Sequence, residues 1–384
     1  MNSRERIRTA LAHREADRVP FDLGGLGPSS ISLIAYQNLL AHLRMKETAE
    51  VSDLGAQRAR PSEDFLKRFR VDTRALGYRP QRSWQLRLQE EDGSSFYFDE
   101  WGIGRKKPAV GGYTFFIFHH PLAAVETGDL PRYPWPDPAD PGRLEGVEEK
   151  ARVLRAESDP AFVFGGSLSQ GILQFAAQLE GYERFFMNLA LDPVRVEWLL
   201  DKILELKLQF HQKAAQRLPG TVDVICEMDD FGHQHGPWIS REMFRKFVKP
   251  RYQKLIATVR REWGAEFMLH SCGAVSSLIP DFIEMGVNIL NPIQFGADGM
   301  GDTRRLKKEF GDALTFWGGG VDVQKTLPSA SPRAVEDEVQ RRIEDLAPGG
   351  GFVFAATQAI QPDTPPENVL AMLNALERYG GYSV

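Results

Sequence analysis

His270 and Cys272 are separated by a single serine. An imidazole and a thiol two positions apart can enter one site when they leave the end of a strand. Together they form a borderline-soft donor pair suited to Zn2+, which keeps an open position in catalytic sites and activates a bound thiol. Packed beside Gly273, the same two residues would be purely structural. Glu227, Asp229 and Asp230 form a second constellation. Crowded carboxylates raise one another's pKa and suit general acid/base work or metal ligation; the bland alternative is helix capping in a solvated loop. Glu227, His233 or His235 could complete a metal site with His270 and Cys272. Strand alternation turns Cys226 away from Glu227, so Cys226 is the weaker candidate. The sequence contains no G-x-S-x-G, Walker A, H-E-x-x-H or C-x-x-C motif.

These groups need elements to position them. Eight short apolar runs stand at 18–23, 71–76, 162–166, 222–228, 266–270, 287–291, 314–318 and 352–356. Most are continuously apolar rather than alternating, as parallel strands buried on both faces are. Segments 195–216, 241–263 and 276–285 carry the helical period between the later runs. Eight strand–helix units predict an α/β fold, a (β/α)8 TIM barrel, whose catalytic groups sit at the C-terminal ends of the strands.

On that frame the candidate catalytic residues are Asp72, Glu227, Asp229 and Asp230. The candidate substrate-binding residues are Arg74, His233, Gln234, Asn291, Gln294, Asp322 and Gln358. The candidate metal ligands are His270, Cys272 and Glu227. Residues 1–20 read as a short amphipathic helix, with Ile7, Ala10 and Leu11 closing the barrel bottom. Apolar stretches at 86–90 and 96–98 flank Asp92-Gly93, a hairpin signal. With the proline-rich 131–142 they make 84–142 a decoration on one domain spanning 1–384.

The chain has 384 residues, 42% hydrophobic and 26% charged, with a formal net charge of −5. A core is feasible, and the lack of a Lys/Arg-rich run argues against nucleic acid. No apolar run approaches the ~20 residues needed to cross a bilayer, and the N-terminus lacks an apolar signal core. The expected compartment is cytoplasmic. Two cysteines imply no disulfide framework.

Six segments resemble uroporphyrinogen decarboxylase-like proteins in order and spacing. They are NSRERIRTALAHREADRVPFDLGG, LEGYERFFMNLALDPVRVEWLLDKI, MDDFGHQHGPWISREMFRKFVKPRYQKL, HSCGAVSSLIPDFIEMGVNILNPIQ, LKKEFGDALTFWGGGVD and QPDTPPENVLAML. The resemblance implies the barrel independently of the strand count. It also implies one of two chemistries: cofactor-free decarboxylation of uroporphyrinogen, or methyl transfer between a thiol and a corrinoid carried by a partner protein, with zinc on an H-x-C pair and a later Cys.

The chain departs from both patterns. GGLGPSSISLIAY stands where the decarboxylases carry arginines that grip substrate carboxylates, although Asp72 matches the region of their pyrrole-binding aspartate. Gln358 stands where the methyltransferases have their third ligand and the decarboxylases a His. The leading expectation is a zinc-assisted methyltransferase component that works with a small substrate and a corrinoid protein, with a homodimer compatible with the resemblance. The alternatives are a decarboxylase (a lyase) and a non-catalytic small-ligand-binding barrel.

Overall fold

Seven parallel strands form the curled sheet of the barrel: β1 (Thr73–Leu76), β2 (Ala161–Gly165), β3 (Val224–Met228), β4 (Glu266–His270), β5 (Ile289–Asn291), β6 (Thr315–Trp317) and β7 (Phe352–Val353). They neighbour one another in chain order, β1 to β7. The computed structural model describes residues 1–382. The eighth position is filled by the segment around Phe21. Phe21 bridges Phe354 in parallel, and its carbonyl accepts the Asp72 N–H at 2.8 Å on the other side. The expected first strand at 18–23 thus shrinks to isolated bridges at Arg18 and Phe21, and the Phe21 contacts close the (β/α)8 TIM barrel.

Strand parity sorts the side chains. Val224, Cys226 and Met268 point into the barrel with Ala161, Val163, Ile289, Trp317 and Val353. Ile225, Phe267 and Leu269 point outward into the larger core shared with the helices. Helix Ser3–Leu11 starts at an Asn2 capping box and plugs the barrel floor with Ile7 and Ala10, as its amphipathic pattern predicts. Burial of both faces of every strand is what continuously apolar runs require.

The helix expected at 195–216 runs Pro193–Arg217. The pattern at 241–263 is interrupted: a π segment, Phe244–Val248, precedes helix Lys249–Trp263. Between β1 and β2 the predicted hairpin forms from Gln89–Glu91 and Ser94–Phe98. Its turn residues Asp92 and Gly93 have φ of 48° and 72°, the pattern that favours Gly at such a turn. Two further strands, Gly104–Lys107 and Phe116–His119, extend it to a four-stranded antiparallel sheet. No helix among the described residues is long and apolar enough to cross a membrane.

Candidate metal centre at the barrel mouth

β4 ends at His270, on the inward parity of Met268, and β3 is registered so that Met228 lies opposite His270. Continuing that parity brings Asp230 and Cys272 to the same place. One donor atom each from Asp230, His270 and Cys272 lies within 4.8 Å of the others. Cys272 Sγ is 3.5 Å from His270 Nε2, and Asp230 Oδ1 is 3.6 Å from the same nitrogen. Donors around a tetrahedral zinc, about 2.0–2.3 Å from the ion, are separated by about 3.3–3.7 Å. The donor chemistry of the triad and its two distances from His270 Nε2 therefore fit such an ion.

Surrounding groups hold each donor in place. Asn291 Nδ2 donates to the Trp317 carbonyl at 2.7 Å, which fixes the amide and turns Oδ1 to His270 Nδ1 at 2.5 Å. The Nδ1–H donates there, so the neutral ring presents an unprotonated Nε2 to the triad. Burial lowers the His270 pKa, which favours that neutral form. Asp230 Oδ1 accepts the Cys272 backbone N–H at 2.8 Å. Gln358 Oε1 accepts the Ala359 N–H at 2.9 Å, so its Nε2 faces Cys272 Sγ at 3.3 Å. Burial pushes the Cys272 thiol well up, so without a cation nearby it stays protonated.

The loops after β3 and β4 meet at two glycines. Gly273 has φ +90°, and a Cβ there would lie 2.4 Å from the Gly232 backbone. The Ala274 N–H donates to the His233 carbonyl at 2.8 Å across the same contact. This approach presses Asp230 against Cys272. Two cavities open beside the triad. One, of about 780 Å³, is lined by Cys272 with Gln294, Gln324, Thr357, Gln358 and Gln361. The other, of about 300 Å³, is lined by Asp230 with Tyr182, Phe186 and Trp238.

Several expected site residues stand elsewhere. Glu227 has the outward parity of Leu269, so it cannot join His270 and Cys272. It is fully buried against helix Pro193–Arg217, where Lys207 Nζ donates to it at 2.8 Å and His211 Nε2 lies at 3.4 Å. Burial alone would raise its pKa, but the Lys207 ammonium and the His211 contact outweigh that and hold it low. Asp229 accepts the Leu173 and Gln174 backbone N–H groups at 2.8 and 2.7 Å and the Tyr252 hydroxyl at 2.8 Å. It caps the helix after β2, and burial pushes its pKa up to about 7.

Asp72 lies before β1, at the barrel floor, paired with Arg6 at 2.7 Å and Arg18 at 2.8 Å. Arg74 has the outward parity and binds Glu63 at 2.9 Å. Asp322 accepts the backbone N–H groups of Gln324 and Lys325 and shapes a turn. His233 and Gln234 are exposed on the rim, with Gln234 bound to the Gly296 carbonyl. Asn291 works through His270, while Gln294 and Gln358 do line the larger cavity. Asp230, and not the expected Glu227, is the carboxylate that lies beside His270 and Cys272; parity with His270 is the signal that separates the two.

A model of the uroporphyrinogen decarboxylase (URO-D) family matches residues 117–379, most of the chain. The chain belongs to the uroporphyrinogen decarboxylase family. Two curated members of similar sequence are named uroporphyrinogen decarboxylase. The protein from Alkalilimnicola ehrlichii is 25% identical over 73% of each chain. The protein from Pseudoalteromonas atlantica is 30% identical over 82% of this chain and 80% of its own. A methylcobamide:CoM methyltransferase, MtaA of Methanosarcina barkeri, is 25% identical over 62% of this chain and 64% of its own. A solved methyltransferase from Methanosarcina mazei shares the fold, with TM-score 0.65 at 18% identity over 99% of both chains.

Proposed function

We propose that this protein is a methyltransferase component, moving a methyl group between a small substrate or thiol and a corrinoid carried by a partner protein. One observation carries the reading: the Cys272 sulfur and an Asp230 carboxylate oxygen lie 3.5 and 3.6 Å from the Nε2 of His270. Asp230, His270 and Cys272 would hold zinc, with Asp230 supplying the anionic third ligand that Gln358 does not. Bound zinc would act as a Lewis acid, activating a thiol or polarising the heteroatom that carries the methyl group. Asn291 keeps the imidazole in its metal-binding tautomer. The glutamines of the larger cavity offer paired donors and acceptors that would orient an amide-bearing or otherwise polar ligand over Cys272. The chain is read as one barrel unit, with 84–142 as its decoration.

The decarboxylase reading draws support from the names of two relatives. The wall beside Cys272 speaks against it. Among the described residues no lysine or arginine lines the larger cavity, and Arg58 is the cation whose charge reaches Cys272 and Tyr113 there, whereas a macrocycle bearing many carboxylates calls for several cationic partners.

The test has three parts: metal content by mass spectrometry for wild type, His270→Ala, Cys272→Ser and Asp230→Ala; demethylation of methylcobalamin by a thiol, read in the visible spectrum; and CO2 release from uroporphyrinogen. About one zinc per wild-type chain, lost in the variants, with thiol-dependent demethylation, is the expected outcome. A metal-free protein with full activity removes the zinc role, and CO2 release restores the decarboxylase reading.

A further inference from the structure

The smaller cavity has a composition that the methyl-transfer reading does not use. Its wall combines Leu173, Gln174 and Ala177 with Tyr182, Phe186 and Trp238. The Trp238 and Phe186 rings are nearly parallel, 21° apart with centroids at 6.1 Å. Tyr182 follows, its centroid 6.4 Å from that of Phe186. Trp238 and Tyr182 are 51% and 40% exposed, and the Trp238 ring also meets that of His233, centroids 5.2 Å apart.

Asp230 is the charged residue in this wall, which among the described residues has no lysine, arginine or histidine lining it. Aromatic faces carry the negative side of a ring quadrupole, and a carboxylate adds a full charge of the same sign. A slot with both features and no cation repels anions and gives a neutral apolar guest no advantage over a cation. A quaternary ammonium suits it better than a primary one, because methyl groups spread the charge, fill apolar space and need no hydrogen-bond acceptors.

We propose that this slot binds the methylated ammonium head group of a small molecule. The aromatic faces supply most of the recognition, so the inference goes beyond the metal reading; because zinc on the triad would take up the Asp230 charge, the slot is at its strongest in the metal-free protein. The volume of about 300 Å³ suits a head group and a short tail.

Calorimetry on the full chain, with zinc added and after chelation, tests it. The probes are choline and its neutral isostere 3,3-dimethylbutan-1-ol. Choline is expected to bind saturably, more tightly after chelation than with zinc added, and the isostere on the order of tenfold more weakly than choline in the chelated protein. Trp238→Leu should lose on the order of tenfold in choline affinity, while Trp238→Phe keeps most of it. Trp238 is half exposed, so both variants should fold, and circular dichroism checks that they do. Absence of saturable choline binding, equal affinity for the isostere, or an unchanged Trp238→Leu overturns the proposal. A protein that binds choline but no zinc sinks the metal reading alone.

Discussion

The Asn291 side chain stands between the Trp317 carbonyl and the His270 ring, donating to one at 2.7 Å and accepting from the other at 2.5 Å. It was expected to touch substrate; its contacts make it the residue that chooses the imidazole tautomer. Asn291→Leu removes that choice, leaving the Nδ1–H without its acceptor. Zinc affinity, measured by competition with a chromophoric chelator, should fall by about 10- to 100-fold. An unchanged affinity would show that burial alone orients the ring.

Gln358 directs an amide N–H at the Cys272 sulfur. Gln358→Cys replaces that donor with a second soft ligand at the same wall. Cobalt(II) substitution should then show a more intense sulfur-to-metal charge-transfer band than wild type, together with tighter zinc binding. A spectrum identical to wild type would place residue 358 outside the ion's reach.

Gly273 touches the Gly232 backbone at a φ that disfavours any side chain. Gly273→Ala must separate the two loops, and with them Asp230 from Cys272. We expect metal stoichiometry to drop well before thermal stability does, because the contact lies at the mouth and not in the barrel wall. Equal losses of both would mean that the loops support the fold as a whole.

Asp72 is a buried acid clamped by Arg6 and Arg18, and its carboxylate also accepts the Phe21 N–H at 2.9 Å. Asp72→Ala leaves Arg6 with its partly exposed partner Asp17 and Arg18 without a carboxylate. The cost should be about 3–5 kcal/mol by denaturant unfolding, with unaltered zinc binding in the protein that remains folded. Loss of zinc binding in the folded fraction would return Asp72 to the site.

Asp229 gives a pH test. Its folded pKa of about 7 lies above the ordinary carboxylate value of 3.8. A raised pKa contributes stability that is fully present below about pH 4 and lost as the pH climbs through about 7. The stability gap between wild type and Asp229→Asn should therefore narrow between pH 4 and 7, by up to about 1.4 kcal/mol per unit. A gap that is flat with pH, or widens, would mean that the three donors to this carboxylate outweigh its burial.

The legible part of the fold was the part written in continuous apolar runs. The run at 266–270 matches β4 end to end, because its last residue both completes the strand and starts the site. The run at 18–23 did not become a strand: Asp72 supplies a side-chain acceptor to Phe21 where a neighbouring backbone would have continued the ladder. In the site, the H-x-C pair was visible from spacing. The carboxylate that joins this pair was not legible, because chemistry alone does not rank the carboxylates 227, 229 and 230, whereas parity does. Asp230 and Glu227 differ by an odd step, and an odd step along a strand means opposite faces. Asp229 lay beyond parity altogether, since its partners Leu173 and Tyr252 come from distant helices.

Ile7 and Ala10 stopper one end of the barrel. Traffic is therefore one-way in and the same way out. On the methyl transfer proposed above, the group's donor and its acceptor would share one doorway, and a bulky visitor standing there would bar the next. Turnover in such a vessel is a queue, ordered by who can leave, and inhibition by excess of either guest is its natural kinetic mark.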